Sequence, residues 1–192
     1  MPNQPGQAKR PAPLFLRGLR PVAYGRAGSV WGRFLFRWRA YLGVSAFVAV
    51  FALGCPTQGA WLSGLPLIGL GLGLRLWAMG HIGIAARSAE VGGDAVVQSG
   101  PYRLFRHPLY LGNFMLVIGT LLQFRPPVWL GVAVTGGCLV LYGLMARAEE
   151  KHLANAVREE RRFSWRRAWA ERWTWLVTLA VAGMCLLRTR LL

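Results

Sequence analysis

Long apolar runs separated by short, strongly polar connections organise this chain. From Tyr41 to Leu74 there are 34 residues without one Lys, Arg, Asp or Glu. One helix needs about 20 apolar residues to cross a bilayer, so this stretch holds two spans, broken near Pro56-Thr57-Gln58-Gly59. The pattern predicts a first span over 40–53, with Trp38 and Tyr41 as interfacial anchors, and a second over 61–80. Gly69 and Gly73 in the second have the spacing at which small residues let membrane helices approach closely. A polar connection over 81–108 leads to a third span at 109–124 and a fourth at 128–146, joined by Arg125-Pro126-Pro127. So short a joint makes the pair an antiparallel hairpin, and the third span is a little short for a full crossing, which predicts tilt or local thinning. Beyond Arg147 the pattern predicts a charged helix to about Arg172, with Trp165, Trp169 and Trp173 on one face. That face either lies among lipid headgroups with the arginines toward phosphates or packs on the bundle. The apolar stretch 175–187 is a fifth span or a re-entrant segment. The expected fold is an all-α integral-membrane bundle of four to five transmembrane helices. Residues 1–30 form a basic tail and 31–192 a single membrane domain.

Composition agrees: 54% of residues are hydrophobic and 16% charged, against about 25% charged in soluble domains. The net charge of +16 is unevenly spread. Residues 1–40 carry eight basic groups and no acid, 75–108 carry a net +2, 147–172 a net +3, and Arg125 is alone between them. Basic blocks on every second connection follow the positive-inside pattern. They argue against a nucleic-acid partner and name the lipid bilayer instead. They also place the N-terminus, 81–108 and 147–172 on the cytoplasmic side with Arg125 opposite. The N-terminal basic region is followed by more arginines rather than a short apolar core and cleavage site, so no secretory signal is read there. Cys55, Cys138 and Cys185 lack CxxC spacing and read as small apolar fillers. His81, His107 and His152 show no ligand spacing, so no metal is expected.

Candidate chemistry gathers at the mouth of the third span. Pro108 suits the first position of a helix, with His107 near its cap. Free N–H groups at that end and the charge of Arg106 suit a carboxylate or a phosphate; alternatively, Arg106 and His107 only touch lipid phosphate. The hairpin returns Glu149 and Glu150 to the same face, where they accept an ammonium group or merely pair with Arg147 or Lys151 in solvent. Arg75 is an ionisable residue within an apolar helix, a functional candidate by default, unless it snorkels to the interface. His81 and Asp94 are weaker candidates.

The block Gly100-Pro101-Tyr102, Arg106-His107-Pro108, Tyr110 and Gly112, flanked by Arg75-Leu76-Trp77-Ala78 and Ala148-Glu149-Glu150-Lys151-His152-Leu153, carries a family resemblance. It resembles the signature of the isoprenylcysteine carboxyl methyltransferase-like and phospholipid methyltransferase-like integral-membrane enzymes, over roughly 74–153. The resemblance implies S-adenosylmethionine as cofactor, held at the cytoplasmic face, and an apolar or lipid-tailed methyl acceptor. Carried over by position, it implies that Val97, Tyr102, Arg106, His107, Pro108 and Tyr110 line the cofactor pocket. Glu149 and Glu150 would close it, and Arg75 or Glu150 would act on the acceptor. This chain departs from the pattern at Asp94, where relatives can have histidine, and after Leu153, where the usual Phe-Gly and spaced tyrosines are missing. The other readings are a membrane lipid or sterol reductase using a nicotinamide cofactor, and a non-catalytic membrane protein that binds lipid or a partner.

Overall fold

In the computed structural model, residues 30–83, 95–153 and 157–191 are described, with side chains for 38–83, 97–147 and 160–191. The basic tail up to residue 29, Asp94, and the side chains of Glu149 and Glu150 lie outside the described residues. Helix α1 covers Val30–Leu53, α2 Gln58–Ile82, α3 Pro108–Phe124, α4 Val128–Leu153, α5 Trp165–Ala168 and α6 Arg172–Leu191. Two three-residue strands, β1 (Ala95–Val97) and β2 (Val157–Glu159), are the β structure among the described residues. The fold is all-α apart from this ribbon. By length and composition, Gln58–Ile82, Val128–Arg147 and Trp165–Leu191 can each cross a membrane, and Trp38–Leu53 and Pro108–Phe124 are shorter apolar helices.

Local chemistry sets the helix ends. Thr57 caps α2 by accepting a hydrogen bond from the Ala60 N–H at 3.2 Å. Gly83, at φ 82°, ends it, a backbone state that costs glycine little. Arg125 ends α3 in the left-handed conformation (φ 45°, ψ 58°), its N–H donating to the Leu121 carbonyl at 2.9 Å. Pro126 and Pro127 cannot prolong the helix, so α4 starts at once in the reverse direction. At about 1.5 Å per residue α3 is roughly 25 Å long, short of the roughly 30 Å hydrocarbon core, as its sequence suggests.

Helices α2 and α3 form the central antiparallel seam. Gly64 lies against Gly119, and Gly71 against Gly112. A Cβ at Gly71 would come within 2.9 Å of the Gly112 carbonyl oxygen, and one at Gly119 within 2.7 Å of Ile68 Cγ1. The seven-residue spacing on both helices keeps the glycines facing each other, two turns apart. The Gly69 and Gly73 pair singled out in the sequence does not serve this purpose: a Cβ at either meets nothing within 4 Å. Pattern spacing alone did not reveal which stripe of α2 meets a neighbour.

At the Arg125 end, Val50, Phe124, Leu130 and Cys185 form an apolar cluster joining α1, α3, α4 and α6. Phe47 meets Phe124 edge-on at 6.0 Å, and Trp61 Nε1 donates to the Ala182 carbonyl at 2.9 Å. Outward-facing Val44, Leu70, Val132, Leu139, Val177 and Leu187 are exposed, the surface expected of a bundle solvated by lipid.

The region after α4 differs from the continuous helix read from its sequence. β2 pairs in parallel with β1, Ala95 opposite Val157 and Val97 opposite Glu159. Residues 160–164 then run without helix, Ser164 in extended backbone (φ −139°, ψ 122°), before α5. Tertiary bonds override helix propensity here. Ser99 Oγ donates to the Arg161 carbonyl at 2.6 Å and accepts from the Arg161 N–H at 3.0 Å. The Ser164 N–H and Arg167 Nε both donate to the Gly80 carbonyl, at 2.9 and 3.0 Å. These partners satisfy the orphan carbonyl end of α2, where cations are also favoured by the helix dipole. Trp165, Trp169 and Trp173 are all well exposed. Packing of that stripe on the bundle is thereby excluded.

Candidate functional site

The Gly100–Gly112 block folds as a turn feeding directly into α3. Val97 is buried at the end of β1. Gly100, at φ 61°, opens a 3-10 turn over Gly100–Arg103 with the buried Pro101 behind it. Its missing side chain is required, because a Cβ there would run into the His81 ring. His81 is itself fixed: Nδ1 lies 3.0 Å from the Trp77 carbonyl, and its ring meets Phe163 at 5.7 Å. The turn is thus seated on the C-terminal end of α2.

Pro108 is buried at the first position of α3, with His107 as its cap residue. The Tyr110 and Leu111 N–H groups both donate to the His107 carbonyl at 3.1 Å. This geometry brings the His107 and Tyr110 rings into a stack at 5.7 Å, interplanar angle 29°. Tyr110 in turn stacks on Tyr142 of α4 at 5.4 Å and 12°. Three half-buried rings therefore form a continuous row from the cap of α3 to α4, with Tyr102 and the exposed Arg106 in the preceding turn. Tyr142 is absent from the sequence-based site. Its signal was there to be read: it stands seven residues before Glu149, two turns along the same helical face, on the helix the hairpin folds back beside Tyr110.

Arg75 is buried on α2, 8% exposed. Its Nε donates to Glu171 Oε2 at 3.2 Å and its Nη2 to both carboxylate oxygens at 3.0 Å. Nη1 donates to the side-chain oxygen of Asn113 and, at 3.5 Å, to the Leu109 carbonyl. Thr174 accepts from Nη2 at 3.5 Å. Glu171 is fully buried. The absence of a side chain at Gly112 leaves room for the Arg75 stem. This knot ties α2 to the first two turns of α3 and to the start of α6. A buried ion pair adds little net stability over an apolar pair, but losing one partner costs about 3–5 kcal/mol. Snorkelling is excluded, since the guanidinium is bonded inside. Glu171 and Asn113 were both missed from the sequence, although an arginine within an apolar helix calls for a partner, and acids outside the 149–160 cluster are scarce.

The sequence-predicted residues thus divide. Val97, Tyr102, Arg106, His107, Pro108 and Tyr110 lie along one connected segment, His107 and Tyr110 in direct contact. Arg75 reaches that segment through the Leu109 carbonyl. The backbone of α4 continues through Glu149 and Glu150 to Leu153. Among the described residues, no three His, Cys, Asp or Glu converge as metal ligands.

No solved structure matches the chain. A cobalt-zinc-cadmium resistance protein, CzcN, of Cupriavidus metallidurans is 34% identical over 107 residues. That match covers 53% of this chain and 47% of the relative, so the chain spans about half the length of the curated relative it matches. The phospholipid methyltransferase family model matches residues 60–160. It takes in the glycine seam, the Gly100–Gly112 turn, the aromatic stack and the end of α4, and on it the chain belongs to the phospholipid methyltransferase family.

Proposed function

We propose that this chain is a membrane-embedded methyltransferase. In this reading it takes a methyl group from S-adenosylmethionine and passes it to an acceptor whose apolar tail stays in the bilayer. The observation that carries the reading is the aromatic row at the start of α3, lying within the family-matched segment. The donor set suits the cofactor. Aromatic faces attract a cationic sulfonium, and Arg106 suits a carboxylate. Tyr102, Arg106, His107 and Tyr110 would hold it, Val97 and Pro108 would back the pocket, and Glu149 and Glu150 would take its amino group. When bound, the cofactor supplies a methyl carbon open to in-line displacement.

The chain's own residues then have positioning to do rather than acid–base chemistry. The stacked rings exclude water from the reacting line. Glu150 is assigned to orient the acceptor head. Arg75 enters as a positioning residue, its guanidinium occupied by Glu171 and Asn113 and bracing the first turn of α3. The site faces the cytoplasm in this reading, and the exposed tryptophans of 165–173 sit in the headgroup layer. The isoprenylcysteine carboxyl methyltransferase-like subtype fits a lipid-tailed acceptor.

Titration of the detergent-solubilised chain with S-adenosylmethionine, its demethylated product and NADPH tests the assignment. Saturable binding of the first two and not of NADPH is expected. Binding of NADPH alone would move the chain to the reductase reading, and binding of none would leave a non-catalytic lipid-binding role.

A further inference from the structure

At the Arg125 end, α2, α3 and α4 part around a groove of about 1170 Å³. Small-molecule pockets span roughly 300–1,000 Å³, so this space is generous for a compact ligand. Leu121, Leu122, Val132 and Leu139 give it apolar walls, and Gly131 and Gly136 make the α4 wall concave. A Cβ at either glycine meets nothing within 4 Å. These glycines open space instead of seating a helix. Arg125 stands exposed at the rim, held in its left-handed turn. The rim is fixed, because the Arg125 carbonyl accepts a 3.5 Å hydrogen bond from the Cys55 N–H across the α1–α2 turn. Among the described residues no carboxylate pairs with this guanidinium.

Dimensions select the occupant. Val128 and Leu139 are eleven residues apart on α4, about 16 Å at 1.5 Å per residue. That is close to half of the roughly 30 Å hydrocarbon core, the depth of one leaflet. An acyl chain fits that length, and a cation at the headgroup end suits a phosphate. A second copy of the chain fits poorly: a two-fold contact through the groove would bring two Arg125 guanidiniums together.

We propose that this groove binds one glycerophospholipid of the leaflet at the Arg125 end of the bundle. Its phosphate sits on Arg125 and an acyl chain lies along Gly131, Gly136 and Leu139. The site is independent of the methyltransferase reading and does not use its residues.

The test titrates the delipidated full chain in detergent with dioleoyl phosphatidylglycerol, with dioleoylglycerol, and with inorganic phosphate, reading retained ligand by native mass spectrometry. One phosphatidylglycerol should be retained. Loss of the charge-assisted contact, by Arg125→Gln or by using dioleoylglycerol, should weaken retention about tenfold or more. Gly136→Leu, which fills open space without a clash, should weaken it likewise. Cys55 lines the groove and is exposed. Its alkylation in the unmutated chain should slow at saturating phosphatidylglycerol, with the buried Cys185 as control. Equal retention of dioleoylglycerol overturns the proposal. So do inorganic phosphate slowing the alkylation alone, dimerisation in place of lipid retention, and unslowed alkylation of Cys55.

Discussion

At the Gly71–Gly112 end of the α2–α3 seam, a guanidinium, a carboxylate, an amide and a hydroxyl share one buried knot. At the Gly64–Gly119 end, the same two helices close onto Val50, Phe124, Leu130 and Cys185. The glycine contacts are alike, so the contrast lies in what surrounds them. Lipid tails are as apolar as a leucine cluster, so shape and dispersion hold the far end together with neutral hydrogen bonds, Trp61 Nε1 to the Ala182 carbonyl and Gln123 Nε2 to the Trp61 carbonyl. A buried ion pair with its amide and hydroxyl partners holds the near end, fixing α3 in rotation and height through several bonds to one guanidinium. The near end is also where the Gly100–Gly112 turn and the three stacked rings meet. The bundle thus places its buried ion pair where registration of α3 matters to the site.

The largest expected effect breaks that knot. Glu171→Gln or Arg75→Gln leaves a buried charge without its counter-charge and should cost about 3–5 kcal/mol of stability, read as earlier thermal unfolding in detergent. Arg75→Met combined with Glu171→Leu removes both charges and should recover most of the stability while losing cofactor affinity, because α3 is no longer indexed. Single variants as stable as the parent chain would show that the two ends are held by the same forces after all.

Next in size is the acidic pair at the end of α4. If Glu150 orients the acceptor head or takes the cofactor amino group in a dry pocket, Glu150→Gln should lower turnover about 10²–10³-fold with unchanged unfolding temperature. Glu149→Gln should do less. As solvated helix caps they would shift stability by at most about 1 kcal/mol and leave turnover alone, and full methylation rates in both variants would establish that bland role.

Arg106→Ala and His107→Ala should weaken S-adenosylmethionine binding by about ten- to a hundredfold, the worth of a charge-assisted contact of roughly 1.5–3 kcal/mol, at normal folded yield. Calorimetric affinities equal to the parent's would reduce both residues to interfacial anchors.

How far the sequence reached differs between the same two regions. Helix number, order and the α3–α4 hairpin were legible, since unbroken apolar runs and Arg125-Pro126-Pro127 leave few alternatives. The Gly100–Gly112 turn was legible as a motif. What the one-dimensional pattern did not carry was which faces meet. It therefore favoured Gly69 and Gly73 over Gly64 and Gly71, missed Glu171 as the partner of Arg75 96 residues away, and passed over Tyr142. It also read helix through 157–164, where bonds to β1, Ser99 and Gly80 hold the chain in a non-helical path. Long-range polar bonds leave no periodic trace.

The smallest expected effect is the sharpest probe of the contrast, because it uses one helix against itself. Tyr142 and Leu130 both lie on α4, twelve residues apart, one in the aromatic stack and the other in the apolar cluster. An aromatic pair is worth about 0.5–1.5 kcal/mol beyond its buried area. Tyr142→Leu should therefore weaken cofactor binding about two- to tenfold, and Tyr142→Phe, which keeps the ring, should restore it. Leu130→Ala leaves a gap in the far cluster and should lower the unfolding temperature, yet leave cofactor affinity where it was. A merely structural role for Tyr142 would make the two sites behave alike, with affinity following stability in both. Equal loss of affinity from Leu130→Ala and Tyr142→Leu would mean that α4 transmits the state of one end to the other, and the division of labour along the seam would fail.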